Sequence, residues 1–234
     1  RRTRAFAQDQ NRPDTFYVGT TDGVYISTDN AKTFTRTSQS GLVVNALVAL
    51  GGGRILAGVE GEGLFVSADF GRSWQASNDG FRERLVRRIV SDESRNRVLV
   101  LTGADGPKNS ALFEMDRRSE GWQRIELPKD RDVRTVALFE GGEMVLGTDD
   151  GAFLGTQAGP PWVRMPLNAA GLDAHPHVAD LYIHGSRLLV ASDHGLFSSR
   201  DRGKTWALIR LGTGSSVVAL AAAPSGRVIA ATPL

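Results

Sequence analysis

Cysteine is absent from the sequence. That excludes a disulfide framework, a thiolate metal site and a cysteine nucleophile. It leaves the redox compartment open, because a chain without thiols is safe in either state. Long apolar runs are missing too. None approaches the roughly 18 residues that cross a bilayer as a helix, so no membrane span is expected, and residues 1–11 show no apolar signal-peptide core. Charge of one sign is scarce: 28 Lys and Arg stand against 26 Asp and Glu, an excess too small to make nucleic acid or an anionic membrane an obligate partner. Sustained helical periodicity is also lacking. The best stretch, Gly80–Ile89, is short and arginine-rich and runs straight into a strand-like segment. What remains is an ordinary folding composition, 41% hydrophobic and 23% charged over 234 residues, of a size common for one all-β domain.

What the sequence does have is a repeat. Five short segments, Gly23-Val24-Tyr25, Gly63-Leu64-Phe65, Ala111-Leu112-Phe113, Gly151-Ala152-Phe153 and Gly195-Leu196-Phe197, begin 40, 48, 40 and 44 residues apart. An apolar run precedes each: Thr15–Gly19, Arg54–Gly58, Arg97–Leu101, Glu143–Gly147 and Arg187–Ala191, with a sixth at Arg227–Ala231. Upstream of these lie Thr3–Gln8, Val43–Leu50, Val86–Ser91, Val133–Phe139, Val178–Ile183 and Val217–Ala222. Downstream stands one aromatic per unit, Phe34, Trp74, Trp122, Trp162 and Trp206, so all four Trp occupy one position of the repeat. Each unit reads as four short strands separated by Gly, Asp, Asn or Ser turns. Thr21-Asp22-Gly23, Asp149-Asp150-Gly151 and Asp193-His194-Gly195 carry tight-hairpin chemistry. Four strands every ~40–45 residues is the spacing of a β-propeller blade, which buries its faces only against neighbouring blades.

The expectation is therefore one all-β propeller domain over 1–234, with four-stranded antiparallel blades near 3–38, 42–78, 85–127, 132–167 and 177–211 and half a blade at 214–234. A hairpin without closing strands is a poor ending, so continuation of the natural chain past Leu234, to six or seven blades, is expected. The repeat aromatics should fill the space between blades.

Three units share a further pattern between strands three and four: Ser27-x-Asp29-x-Ala31-x-Thr33-Phe34, Ser67-x-Asp69-x-Gly71-x-Ser73-Trp74 and Ser199-x-Asp201-x-Gly203-x-Thr205-Trp206. The Asp carboxylate should accept backbone N–H groups and hold the turn shut, the Gly should take positive φ, and the aromatic should plug the hairpin onto the sheet. Ala31 in the Gly position should be strained. Residues 115–122 and 155–162 have lost the pattern. This signature resembles the Asp-box, or bacterial neuraminidase repeat, of the sialidase-like propellers. The resemblance covers essentially the whole chain and is nearest in style to the photosystem II assembly-factor type. The superfamily also includes sialidases and xyloglucan-cleaving enzymes. The resemblance implies that the box residues are structural and lie away from the usual ligand face. It also implies an extracytoplasmic setting and a partner protein, with a membrane-associated complex as one setting for it.

Chemistry is mostly missing. A sialidase needs an arginine cluster, a Tyr–Glu nucleophile pair and an acid Asp. The family's F/Y-R-I-P start is absent, the look-alike Asn11-Arg12-Pro13-Asp14 falls in a turn on the box side, and Tyr17, Tyr25 and Tyr182 sit on strands. A glycosidase needs two carboxylates facing a cleft, one with a raised pKa. The acids on the other side (Asp22, Glu60, Glu62, Asp105, Asp149, Asp150, Asp193) recur because hairpin turns favour Asp. His175, His177 and His194 would be the ligands of a metal, but no fixed spacing supports a site. No cofactor and no catalytic residue is expected. The densest charge cluster is Arg82, Arg84, Arg87 and Arg88, joined by Arg131 and Arg134. As a patch these arginines would suit an acidic protein surface; as a solvated loop they would pair with Glu83 and Asp130. The expected function is a non-catalytic scaffold that binds another protein, with a glycan-binding or glycan-cleaving propeller as the alternative.

Overall fold

The structure, a computed structural model, describes residues 2–9, 11–37, 41–80, 85–103, 109–116, 121–168, 175–211, 216–222 and 227–233. Among these there is no helix, so the segment Leu85–Asp92, which includes the end of the best helical stretch, is a strand. The fold is a β-propeller built from four-stranded antiparallel meanders. Blade one is Thr3–Gln8, Phe16–Thr20, Gly23–Ser27 and Thr35–Arg36 (β1–β4). Blade two is Val44–Ala49, Ile55–Val59, Gly63–Ser67 and Gln75–Ala76 (β5–β8). Blade three is Leu85–Asp92, Arg97–Gly103, Ala111–Asp116 and Gln123–Ile125 (β9–β12). Blade four is Val133–Leu138, Met144–Thr148, Gly151–Thr156 and Gly159–Arg164 (β13–β16). Blade five is Val178–His184, Arg187–Ser192, Gly195–Ser199 and Ala207–Ile209 (β17–β20), and a hairpin of Ala219–Ala222 with Val228–Ala231 (β21, β22) follows. The chain forms two compact units, Arg1–Arg124 and Ile125–Leu234, each described by itself.

The second strand of each blade has strand neighbours on both sides. Its sequence is accordingly a continuous apolar run rather than an alternating one; β6, β10 and β14 are buried at every residue. Adjacent blades meet through a repeated contact. Gly19, Gly58 and Gly147 stand at one position of their second strands, and a Cβ there would lie 2.7, 2.5 and 2.5 Å from Cγ1 of Val44, Val86 and Val178 of the following blade. Glycine is required by the close approach, not by its backbone. Outer strands are short, two residues in β4 and β8, which limits edge-to-edge pairing.

The Ser-x-Asp turns are tied as their sequence suggests. Asp29 Oδ1 accepts from the Lys32 and Thr33 amides (3.1 and 2.9 Å), Oδ2 accepts from the Thr33 hydroxyl (2.6 Å), and the Ser27 hydroxyl donates to Asp29 and accepts from the Ala31 amide. Asp69 and Asp201 repeat the pattern with Ser67 and Ser73, and with Ser199 and Thr205. Two residues rather than one take positive φ: Asn30 and Ala31 at 61°, Phe70 at 61° with Gly71 at 82°, and Arg202 at 61° with Gly203 at 85°. Phe70 and Arg202 carry backbone strain in their own turns, and Ala31 adds it at the position where the other two turns have glycine.

The repeat aromatics share a position but not a hydrogen-bond partner. Trp74 and Trp206 donate Nε1 to the carbonyls of Gly71 and Gly203 within their own turns. Trp122 and Trp162 instead donate to Ser77 and Glu126, in the segments that follow the preceding blades. Phe34 is 41% exposed. The position is shared, but its partner depends on whether the turn closes on itself.

Hydrogen bonds to Ser73, then to Ser67 and the Arg72 amide, hold the Asp69 carboxyl down at about 2 despite some desolvation, and Asp29 and Asp201 lie lower still by the same means. A depressed carboxyl adds stability that is present above its unfolded pKa and lost as pH falls through the folded one. The melting temperature should therefore fall steeply between about pH 4 and pH 2. An Asp29→Asn, Asp69→Asn, Asp201→Asn variant should melt lower at pH 7 and show a flatter acid limb; thermal denaturation across that range measures both. Parallel acid limbs would mean that these carboxyls do not titrate differently on folding.

Candidate functional site

Chain alternation puts the turns between strands two and three, and the connections into the next blade, at one end of each blade, opposite the Ser-x-Asp turns. The hairpin turns there are closed by a hydroxyl that the sequence reading missed. Thr20, Thr148 and Ser192 donate to the carbonyls of Gly23, Gly151 and Gly195 (2.9, 2.8 and 2.9 Å) and accept the amides of Asp22, Asp150 and His194.

The first strand of each of the five four-stranded blades carries a bulge near its start at this end. The extra residue is Arg4, Asn45, Arg87, Arg134 or Ala179. A bulge leaves its residue out of the ladder and re-aims its side chain, so three of five blades present arginine at this point. Within the first unit β1 packs on β5 and β5 on β9. Arg4 Nη1 donates to Asn45 Oδ1 at 2.7 Å and to Glu60 Oε2 at 2.8 Å, linking two blades. Arg87 lies across Gly103, where a Cβ would come within 2.3 Å of its Nε. Arg88 sits beside it in β9, opposite Leu101. Arg82 and Arg84 lie outside the described residues.

In the second unit, Asp150 gathers cations. Arg131 Nη2 is 2.9 Å and Arg164 Nη2 2.5 Å from Oδ2, and His175 Nδ1 is 2.9 Å from Oδ1 and beside Arg164 Nη1. The Arg164 hydrogen bond outweighs desolvation and, with His175 and Arg131, holds the Asp150 carboxyl down at about 2. Arg164 also lies over the Phe153 ring at 5.1 Å. Arg131, Arg164 and Phe153, with Lys129, Pro160 and Trp162, line an open cleft of about 470 Å³. Arg131 thus pairs with Asp150 rather than with the Asp130 carboxylate, reaching only the Asp130 carbonyl (2.9 Å). Arg134 stands 3.6 Å from Asp132. His177 and His194 meet Asp193, through a backbone amide (3.0 Å) and a ring nitrogen (2.8 Å). Among the described residues no three His, Asp or Glu gather as a metal set.

Arg4 and Arg164 were missed, and a signal existed for each. Arg4 follows Thr3 as Arg87 follows Val86 and Arg134 follows Val133. Arg164 stands two residues after its repeat aromatic, as Arg36 does; Arg36 pairs with Asp22 (3.1 Å) as Arg164 pairs with Asp150. Aligning the units by position would have exposed both. Tyr17 is fully buried, and burial first, then the charge of Asp9, pushes its phenol up to about 12.

No protein-family model and no curated protein matches the sequence. Solved structures do match. A structure titled YCF48 bound to D1 peptide aligns with a TM-score of 0.70 at 14% identity, covering 94% of this chain and 72% of that one. A GH74 xyloglucanase from Xanthomonas campestris aligns at 0.69 and 19% identity, over 87% of this chain and 38% of the enzyme. PorZ, a surface component of the type-IX secretion system of Porphyromonas gingivalis, aligns at 0.68 and 15% identity, over 93% of this chain and 36% of its own. The chain therefore spans well under half of the latter two proteins. At these identities what is shared is the β-propeller fold.

Proposed function

We infer that this propeller is a non-catalytic scaffold that binds another protein through the end of its blades where the first strands begin. The observation that carries the reading is the bulge, which frees an arginine side chain from the ladder in three of five blades at one position of the repeat. Arginine forks pair with carboxylates and stack on aromatics, which suits an acidic protein surface. The likeness to a peptide-bound YCF48 agrees with this reading. In this reading the Ser-x-Asp turns are Asp-boxes with a structural role, and the setting is extracytoplasmic, as for the surface component PorZ.

The second reading, a glycan-binding or glycan-cleaving propeller, rests on Trp162 in the cleft and on the xyloglucanase likeness. Amine crosslinking with mass spectrometry separates the ends, since Lys129 lines the cleft and Lys204 lies in a Ser-x-Asp turn. Partner crosslinks at Lys129 and not at Lys204 support the scaffold reading; the reverse sinks it. With a captured partner, Arg4→Ala, Arg87→Ala and Arg134→Ala together should leave the circular dichroism unchanged. The complex should weaken by tenfold or more, about 1.4 kcal/mol, and more so at low salt.

A further inference from the structure

Where a Ser-x-Asp turn meets the blade before it, its positive-φ glycine packs on the residue just after that blade's fourth strand. In the second unit this residue is Met165, whose Cε would lie 1.9 Å from a Cβ on Gly203. Gly159, the corresponding residue of blade four, meets Ile125 in the same way (2.6 Å). In the first unit the counterpart is Thr37, 3.0 Å from a Cβ on Gly71. Thr37 and Met165 hold equivalent places, since their amides donate to the carbonyls of Val24 and Ala152 at the second residue of their third strands. A threonine is too short to fill what methionine fills. Its Oγ1 is buried without a hydrogen-bond partner among the described residues, and a cleft of about 670 Å³ opens beside it.

The charge at that seam differs in the same direction. In the second unit Arg202 lies over Phe139 (4.4 Å) and is neutralised by Glu143 at 2.7 Å. In the first unit the pair is exchanged: the ring is Phe70 of the turn, and the cation is Arg12 of the preceding blade at 4.1 Å. Arg12, Arg36 and Arg72 all line the cleft, and no Asp or Glu does among the described residues. Arg36 is paired with Asp22, while the guanidinium groups of Arg12 and Arg72 have no carboxylate partner among the described residues; the Arg12 amide reaches Asp9 (3.2 Å).

We propose that this cleft binds a tetrahedral oxyanion, a phosphate or sulfate monoester. The guanidinium forks of Arg12 and Arg72 match its oxygens, the Thr37 hydroxyl supplies a buried donor, and Phe70, which holds the Arg12 guanidinium over its ring, lines the cleft beside the organic group. The site is at the Ser-x-Asp end of the blade and is independent of the arginine-bearing end described above.

The test is isothermal titration calorimetry at low ionic strength with phenyl phosphate, phenyl sulfate and inorganic phosphate. Saturable binding of the phenyl esters to one site is expected, at least tenfold tighter than inorganic phosphate. Arg12→Gln and Arg72→Gln should each weaken it tenfold or more. Thr37→Met, which supplies the side chain that fills the equivalent seam, should abolish it while the protein stays folded by circular dichroism; should that variant not fold, the Arg72→Gln comparison decides. Inorganic phosphate binding as tightly as the esters keeps the site and names the free anion as occupant. No saturable binding, or binding unchanged in both arginine variants, overturns the proposal.

Discussion

Trp122→Ala is expected to lose about 3–5 kcal/mol of stability, in the range of large aromatic truncations. Trp122 is 8% exposed and belongs to the core cluster of blades two and three with Leu64, Val86 and Met115. Its Nε1 donates across the seam to the Ser77 carbonyl at 3.2 Å, and its own carbonyl sits where a Cβ on Gly80 would come within 2.9 Å. Removing the ring leaves a cavity and one unpaired carbonyl, so cavity and desolvation costs add. Trp122→Phe keeps most of the volume and should lose markedly less. Urea unfolding followed by fluorescence of the remaining tryptophans measures both; a Trp122→Ala midpoint within error of the parent's would contradict the bridging role.

The second large effect concerns the contact that spaces the blades. Gly58→Ala should overpack the seam against Val86, whose Cγ1 and Cβ lie 2.5 and 2.6 Å from the added carbon. Overpacking of this kind costs about 1–3 kcal/mol. Val86→Ala alone should also destabilise, because Val86 is 1% exposed and leaves a cavity. Combined, the two substitutions should cost clearly less than their sum, since the space vacated by valine accepts the new methyl. Denaturant melts of the four proteins of the cycle give the coupling. Strict additivity would show that the glycine is there for some reason other than the close approach.

The arginine-bearing end was only partly legible. Arg87 and Arg134 were singled out as members of charge clusters, but what distinguishes them is their place as the extra residue of a bulge, which follows from pairing register between strands. Arg4 stands in no cluster and emerged only when the registers of the blades were compared. Asp150 looked like one more turn acid; it became a hub because Arg164 reaches it from the fourth strand and Arg131 and His175 from the connections between blades. Such convergence depends on long-range pairing that a local pattern does not encode.

The sequence by itself determined the repeat, the all-β class, the four-strand unit and the inner bonding of the Ser-x-Asp turns, because these depend on neighbours within a few residues. Spacing of apolar runs marks buried second strands, and a carboxylate two residues after a serine can close its own loop without help. The tertiary structure alone decided which aromatic bonds its own turn and which bonds the preceding blade, and which seam is filled by methionine and which is left open at Thr37. It also decided which arginines are neutralised. The aromatic and seam contacts are settled by the residue that an adjacent blade brings within a few ångströms, at a sequence distance of about 35 to 45 residues, and the arginine pairs by carboxylates 14 to 59 residues away, where periodicity carries no information about the partner.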